Sequence, residues 1–487
     1  MLHHTCPSTD RATSIGQLAD PATTLLTMVS SRIVNSEDVL DVRDVIDRSP
    51  ITPLQKWVVA MCCAIALLEG YDAQALGFLA PSIASSFGVE VKSFGPTFSA
   101  SLFGLMVGAL SIGALGDRWG RRRVLILSTA SFGLFALASA FATTLQGLLT
   151  LRFLTGLGLG GALPNVFALA TDYTPRRSRN IPACLISAAI PAGGMCAGFA
   201  ASGLLPLWGW RSVLVVGGIA PLILAVVAIL LLPESLPFLC SRSGNERVTR
   251  DLMTRIWHDP RARTARFIVA IGADAEANAS VRELLHRGRA VVTLSLWLAW
   301  FMNLLVLYFV ISWMPALLNA SGLPSSVGIL AVTLFSLGGV GGSLLQGPLL
   351  SRYAPKPVFL TEFGLFILLT ILLGEVHLSS WSVGSIALAA GWAVQGAQAG
   401  INASGATFYP SPLRSTGLGW GLGVGRLGSI VGPILGGWAL QAAWTPKQIF
   451  LSGIVPAVCA GFGMWIALSR GHSFIQTGST ALNPGAD

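Results

Sequence analysis

Two acids stand inside a stretch that should hold none. Residues Trp57 to Ala80 are almost wholly apolar, yet they include Glu69 and Asp72. A charged side chain at the centre of a bilayer costs roughly 2.5–3.5 kcal/mol even on the lenient insertion scale, so such residues are rare and mostly functional. Three positions apart, the two share one face of a helix. Low dielectric favours the neutral form of a carboxyl, and a neighbouring like charge favours it further. The pair therefore suits loading and releasing a proton. We expect Asp72 to carry the proton, with Glu69 tuning it or sharing it. The plainer alternative is a structural pair held by backbone or Ser/Thr donors. Other titratable groups are worse placed. His3, His4, His258, His286, His377 and His472 are terminal or in connections. A cysteine carries protons poorly near neutral pH unless its acidity is raised.

The rest of the chain must supply a membrane scaffold for that pair. Of 487 residues, 53% are hydrophobic and 11% charged, with a mean hydropathy of +0.68. Soluble domains carry about 25% charged residues, so the chain reads as a polytopic membrane protein. Apolar runs of about 20 residues give twelve spans, at 57–81, 95–115, 123–142, 146–171, 181–205, 212–232, 291–318, 327–350, 357–376, 382–408, 416–440 and 448–468. Glycine runs such as Gly156, Gly158, Gly160 and Gly161, and Gly338, Gly339, Gly341 and Gly342, allow close helix approach. Cys6, Cys62, Cys63, Cys184, Cys196, Cys240 and Cys459 show no paired or metal-ligand spacing and read as small hydrophobes.

The net charge of +9 is an orientation signal. One set of alternate connections holds Arg118, Arg121, Arg122 and Arg123, then Arg176, Arg177 and Arg179, ten arginines from Arg242 to Arg289, Arg352, Lys356 and Arg414; the other holds Lys92, Arg211 and Lys447. The positive-inside rule places the first set, and both termini, in the cytoplasm. It also removes the case for a nucleic-acid patch. Five sections follow: a cytoplasmic N-terminal segment (1–55), a six-helix bundle (56–232), a cytoplasmic central loop (233–290), a second six-helix bundle (291–470) and a C-terminal tail (471–487). The first section shows no cleavable signal peptide. In it Ser36 could cap a short amphipathic helix through Asp47, and Met28 is an alternative start to Met1. The two bundles echo each other: Gly113-Ala-Leu-Gly-Asp-Arg-Trp-Gly-Arg-Arg-Arg-Val124 aligns without gaps with Gly347-Pro-Leu-Leu-Ser-Arg-Tyr-Ala-Pro-Lys-Pro-Val358. A duplicated six-helix unit is the expected origin.

Gly113 to Arg123 resembles the loop signature of the major facilitator superfamily. Within that superfamily the chain resembles the aromatic acid:proton symporters over residues 50 to 470. The matching segments are Leu68-Glu-Gly-Tyr-Asp-Ala-Gln-Ala-Leu-Gly-Phe78, Gly158-Leu-Gly-Gly-Ala-Leu-Pro-Asn165, Thr171-Asp-Tyr-Thr-Pro-Arg-Arg177, Gly396-Ala-Gln-Ala-Gly-Ile-Asn402, Phe408-Tyr-Pro410, Arg414, and Gly425-Arg-Leu-Gly428 with Gly432-Pro433. The family's first-helix motif usually opens with Asp, where this chain has Glu69. That form leans toward the phenylpropionate-type members. The resemblance implies an all-α membrane protein, twelve helices in two bundles related by pseudo-two-fold symmetry, without a cofactor or metal. It implies a transporter, not an enzyme, that imports aromatic carboxylates with protons by alternating access. It also implies an inner-membrane location, and we expect a monomer.

An aromatic carboxylate would need a cation or amide donors, and apolar walls for its ring. A guanidinium fork suits a carboxylate, which nominates Arg152 and Arg426; either could instead pair with Glu69 or Asp72. Gln74, Asn165, Gln395, Gln398 and Asn402 are in-membrane amides, and buried amides demand partners. Trp392, Tyr308 and Phe167 are candidate walls, though most intramembrane aromatics are packing or belt residues. For gating, the resemblance suggests that Asp117, Arg118, Arg121, Arg122 and Arg123 latch the two bundles in one state, with Asp172, Arg176, Arg177 and Arg414 beside them; charge alone would also fit topology marking. No Walker loop, dinucleotide fingerprint or hydrolase elbow lies in a soluble context. The rivals are a proton-coupled exporter on the same fold and a membrane sensor of aromatic acids. Counterflow of labelled aromatic acids in proteoliposomes separates all three.

Overall fold

The computed structural model describes residues 39–242, 244–269, 281–286, 289–375, 379–409 and 411–480. Twelve long helices dominate these residues. In the first half they are α1 (Pro53–Phe87), α2 (Gly95–Ser111), α3 (Arg121–Ser139), α4 (Leu145–Asp172), α5 (Asn180–Trp208) and α6 (Trp210–Leu231). In the second half they are α7 (Ala290–Ala320), α8 (Ser325–Arg352), α9 (Pro355–Glu375), α10 (Ser380–Phe408), α11 (Ser411–Gln441) and α12 (Ile454–Thr480). Eleven helical stretches are long and apolar enough to cross a membrane. The remaining helix, α10, has the length at 29 residues; Gln395, Gln398 and Asn402 interrupt its hydropathy. Several helices extend past the apolar runs, because capping rather than hydropathy ends them. Gln55 accepts from the Thr52 amide at 2.8 Å at the start of α1, and Gly88 closes it at φ +65°, a conformation that favours glycine. Prolines inside α1, α4, α5, α6, α7, α8 and α11 are tolerated as in other membrane helices.

Packing repeats with a period of six helices. In the first half α1 packs on α5 and α6, α2 on α4, and α3 on α4 and α6; in the second, α7 packs on α11 and α12, α8 on α10, and α9 on α10 and α12. The halves meet through α2 against α11, α5 against α8, and α1 against α7. The first two contacts are exchanged by the same six-helix shift, which is the pseudo-two-fold relation.

The link between the halves is not only helical. Its helix Glu246–Ile256 is followed by a short strand β2 (Arg266–Ile268), paired in parallel with β1 (Val39–Asp41), Val39 opposite Arg266. The expected helix from Ser36 to Asp47 is thus replaced by a strand and a helix over Val42–Arg48, capped by the Asp41 side chain; Ser36, and the start at Met1 or Met28, lie outside the described residues. Val42, Ile46, Leu236, Met253, Ile256 and Phe267 form one core with Met61, Cys62 and Leu169 of α1 and α4. The central section up to Phe267 is therefore docked on the first half, while Leu284 packs into the core of the second. Its surface turn is held by Arg261, whose hydrogen bonds keep the Asp259 carboxyl below the usual range.

Candidate functional site

The two acids of α1 part company in three dimensions. Asp72 accepts from Arg152 Nη1 of α4 at 2.8 Å, with side chains 3% and 1% exposed. Arg152 is held a second time by Ser139 Oγ of α3, at 3.2 Å from Nε and 2.7 Å from Nη2. Asp72 Oδ2 is buried without a partner. The pair belongs wholly to the first half, and of the two fates open to Arg152 the structure takes internal pairing. Glu69 has no hydrogen bond or ion pair among the described residues. It lies in electrostatic reach of Arg426 on α11, and Arg426 Nη1 donates to Tyr308 Oη of α7 at 3.5 Å. Arg426 and Tyr308 are half-buried, while Glu69 is buried beside them. All three sit near the middle of their helices, at the depth where such folds hold solute.

The amides divide similarly. Gln398 and Asn402 form a chain with two residues that the sequence did not flag. Asn303 Nδ2 donates to Gln398 Oε1 at 2.8 Å and to the Val394 carbonyl at 3.2 Å, Gln398 Nε2 to Asn402 Oδ1 at 3.1 Å, and Trp300 Nε1 to Asn402 Oδ1 at 2.7 Å. Trp300 and Asn303 are fully buried on α7, while Gln398 and Asn402 remain half-buried. Trp392 is half-buried against α8. Asn165 lies elsewhere: it donates to the carbonyls of Gly113 at 3.1 Å and Gly161 at 2.9 Å, holding the α2–α3 connection onto α4. Gln395 donates to the Phe335 carbonyl at 3.3 Å. Gln74 accepts from Ser336 Oγ of α8 at 2.6 Å, across the two halves. With Ser99 to the Ile430 carbonyl at 2.7 Å, it makes the only two hydrogen bonds between the halves among the described residues. Both lie in the part of the molecule away from the central section.

The charged connection does not join the halves in this conformation. Arg121 pairs with Asp172 at the end of α4 and, at 3.4 Å, with Asp117. Asp172 also accepts from Ser235 Oγ at 2.6 Å. Glu234 accepts from the Arg122 amide at 3.0 Å, and the Arg122 guanidinium donates to the Ile229 carbonyl. Arg118 offers its carbonyl to Arg242 at 2.6 Å. Arg176 holds Asp47 through its amide at 2.6 Å and its Nε at 3.3 Å; Arg177 donates to the carbonyls of Asp47 and Ser49. All these partners belong to the first half or the segments docked on it. The Arg414 side chain lies outside the described residues.

One buried acid escaped the sequence reading. Glu362 of α9 is 1% exposed, and the penalty that singles out Glu69 applies equally to it.

Known proteins place these features in a family. The sequence model of the Major Facilitator Superfamily matches residues 62–388. The chain is 37% identical over 441 residues to a 4-hydroxybenzoate transporter, PcaK, of Pseudomonas aeruginosa, covering 86% of this chain and 94% of that one. It is 35% identical to a gallate transporter of Pseudomonas putida, covering 90% and 96%, and 33% identical to a 3-(3-hydroxy-phenyl)propionate transporter of Escherichia coli, covering 85% and 94%. The fold matches the xylose transporter XylE from Escherichia coli in a partially occluded inward open conformation, with TM-score 0.65, 16% identity, and coverage of 84% and 98%. It also matches an inward-facing bacterial homolog of the lysosomal transporter Spinster, with TM-score 0.63, 18% identity, and coverage of 87% and 98%. With the acid motif on α1, the twelve helices in two matched sixes and relatives of this kind, the chain belongs to the major facilitator superfamily, in its aromatic acid:proton symporter family.

Proposed function

We propose that this protein imports aromatic carboxylates, of hydroxybenzoate or hydroxyphenylpropionate type, together with protons by alternating access. The observation that carries the reading is the mid-depth cluster of Glu69, Arg426 and Tyr308, contributed by both halves. Arg426 is the cation that receives the substrate carboxylate, with a fork that matches it. Tyr308 lies at the ring, and the half-buried Gln398 and Asn402 offer amides to ring hydroxyls. Glu69 carries the proton. When ionised, it neutralises the field of Arg426 and leaves little attraction for an anion. When protonated, it frees Arg426 to hold the carboxylate. Proton and anion thus bind together, and the empty carrier returns with its charges balanced internally. Asp72 is the less suited carrier, because its pairing with Arg152 would have to break.

Among the described residues the hydrogen bonds between the halves lie away from the central section, which supports an inward-facing state. Residues 56–232 and 291–470 act as the rocking bundles. The segments 1–55, 233–290 and 471–487, with both termini, lie in the cytoplasm by the positive-inside count, and the inner membrane follows from the bacterial relatives. The Asp117–Arg123 connection, with Asp172, Arg176 and Arg414, closes on the second bundle in the opposite state. We take the unit to be a monomer.

The deciding experiment is uptake in proteoliposomes. Glu69→Gln is expected to keep counterflow of labelled 4-hydroxybenzoate and to lose accumulation driven by an imposed pH gradient. Unchanged pH-driven accumulation in Glu69→Gln would remove Glu69 from the proton path. No counterflow of any benzoate or phenylpropionate by the wild type would remove the substrate class.

A further inference from the structure

Glu362 lies on α9, inside the second half, and the cycle above does not use it. Glu362 and Gln346 of α8 are 1% and 2% exposed. Gln346 Nε2 donates to Glu362 Oε2 at 3.4 Å. The remaining oxygen of each side chain, Oε1, is buried and has no partner. Both orphans face one place on α10: a methyl group at Gly396 would lie 3.2 Å from Glu362 Oε1 and 3.3 Å from Gln346 Oε1.

Among the described residues no cation pairs with a charge there. Helix α10 carries no charged residue at all; on α8 and α9 the basic residues are Arg352 and Lys356, at the helix ends, and on α12 the titratable side chains up to Arg470 are Cys459 and Arg470 itself. An uncompensated carboxylate in such a setting is costly, and two buried acceptors beside the same glycine, each without a donor, add unmade hydrogen bonds. A single proton removes both defects. Placed on Glu362 Oε1, it donates to Gln346 Oε1 while Gln346 Nε2 continues to donate to Glu362 Oε2. The two groups then close an acid–amide ring, with every polar atom satisfied.

We propose that Glu362 and Gln346 form a second proton-binding site, in which a resident proton clasps α9 to α8 beneath Gly396. This proton is part of the scaffold and not cargo, since both partners lie within one half, whereas Glu69 faces Arg426 and Tyr308 of the other half. A side chain at Gly396, in the α10 motif, would press on both oxygens and on the α8 backbone at Gly342.

The test is infrared difference spectroscopy on the purified full-length protein at neutral pH, wild type against Glu362→Gln, with thermal unfolding in parallel. The wild type should show a protonated carboxylic acid carbonyl band that Glu362→Gln lacks. Glu362→Gln should melt close to wild type, because its amide can close the same ring. Glu362→Ala, which strands Gln346, should melt about 5 °C lower. An ionised carboxylate band in place of the acid band would overturn the proposal. So would stabilisation of the wild type by sodium ions that Glu362→Gln does not share, marking a cation site over Gly396. Loss of pH-driven accumulation in Glu362→Gln with counterflow intact would make the proton cargo and overturn its resident role.

Discussion

The two halves share a packing scheme yet satisfy their interior polar groups by different means. The first half uses charge: Asp72 with Arg152, and Arg121 with Asp172 at the end of α4. The second half uses mainly neutral groups: the indole and amides of Trp300, Asn303, Gln398 and Asn402. Against that neutral background Arg426 stands out, and it faces Glu69 across the seam. The duplicated scaffold thus breaks its own symmetry at one depth. One half supplies a spare negative group, and the other a spare positive one.

The sharpest way to break this contrast is Asp72→Asn. It strands Arg152 as a buried cation, which should cost about 3–5 kcal/mol and most of the folded protein, read by thermal unfolding in detergent. Removing both charges, in Asp72→Asn with Arg152→Gln, should recover most of the loss. A stable Asp72→Asn that loses only proton coupling would move the carrier role to Asp72. Next in size is Arg426→Ala. Loss of a charge-assisted contact of about 2.7 kcal/mol should weaken 4-hydroxybenzoate binding about 100-fold at little cost in melting temperature, read by equilibrium binding. Equal damage to fold and binding would make Arg426 structural. A smaller effect is expected for Asn402→Ala, which leaves the Trp300 indole and Gln398 amide unpaired: about 1–3 kcal/mol of stability, seen as a lower melting temperature. Smallest is Ser336→Ala. It removes one hydrogen bond between the halves, about 1 kcal/mol, and should shift the conformational balance about five-fold away from the present state, read by cysteine accessibility at the end of the crevice remote from the central section.

Much of this architecture is legible in the chain, since it follows from a one-dimensional quantity. Length and apolarity of runs fix where helices cross a bilayer, and the repeat around Gly113 and Gly347 points to two equivalent units. The helix expected from Ser36 failed because β1 finds its partner more than 200 residues away, at Arg266, and no local signal encodes that pairing. Asn165 illustrates the same limit. An amide in a span must have a partner, but whether that partner is solute or the Gly113 carbonyl depends on which helix lies beside it. Glu362 was legible by the logic applied to Glu69, as a lone acid in an apolar run; the motif around Glu69 drew attention away from it.

That ionisable groups enter the membrane on the first span can be read from the chain alone, because that expense is visible residue by residue. Which acid is paired within its bundle and which faces the other half is settled by packing, since adjacent turns of one helix face different neighbours: both are buried, but Asp72 meets Arg152 within its own bundle, while Glu69 looks across to Arg426. Partner identity comes from the crossing of helices distant in the chain, and that geometry is not written in the spacing of either acid.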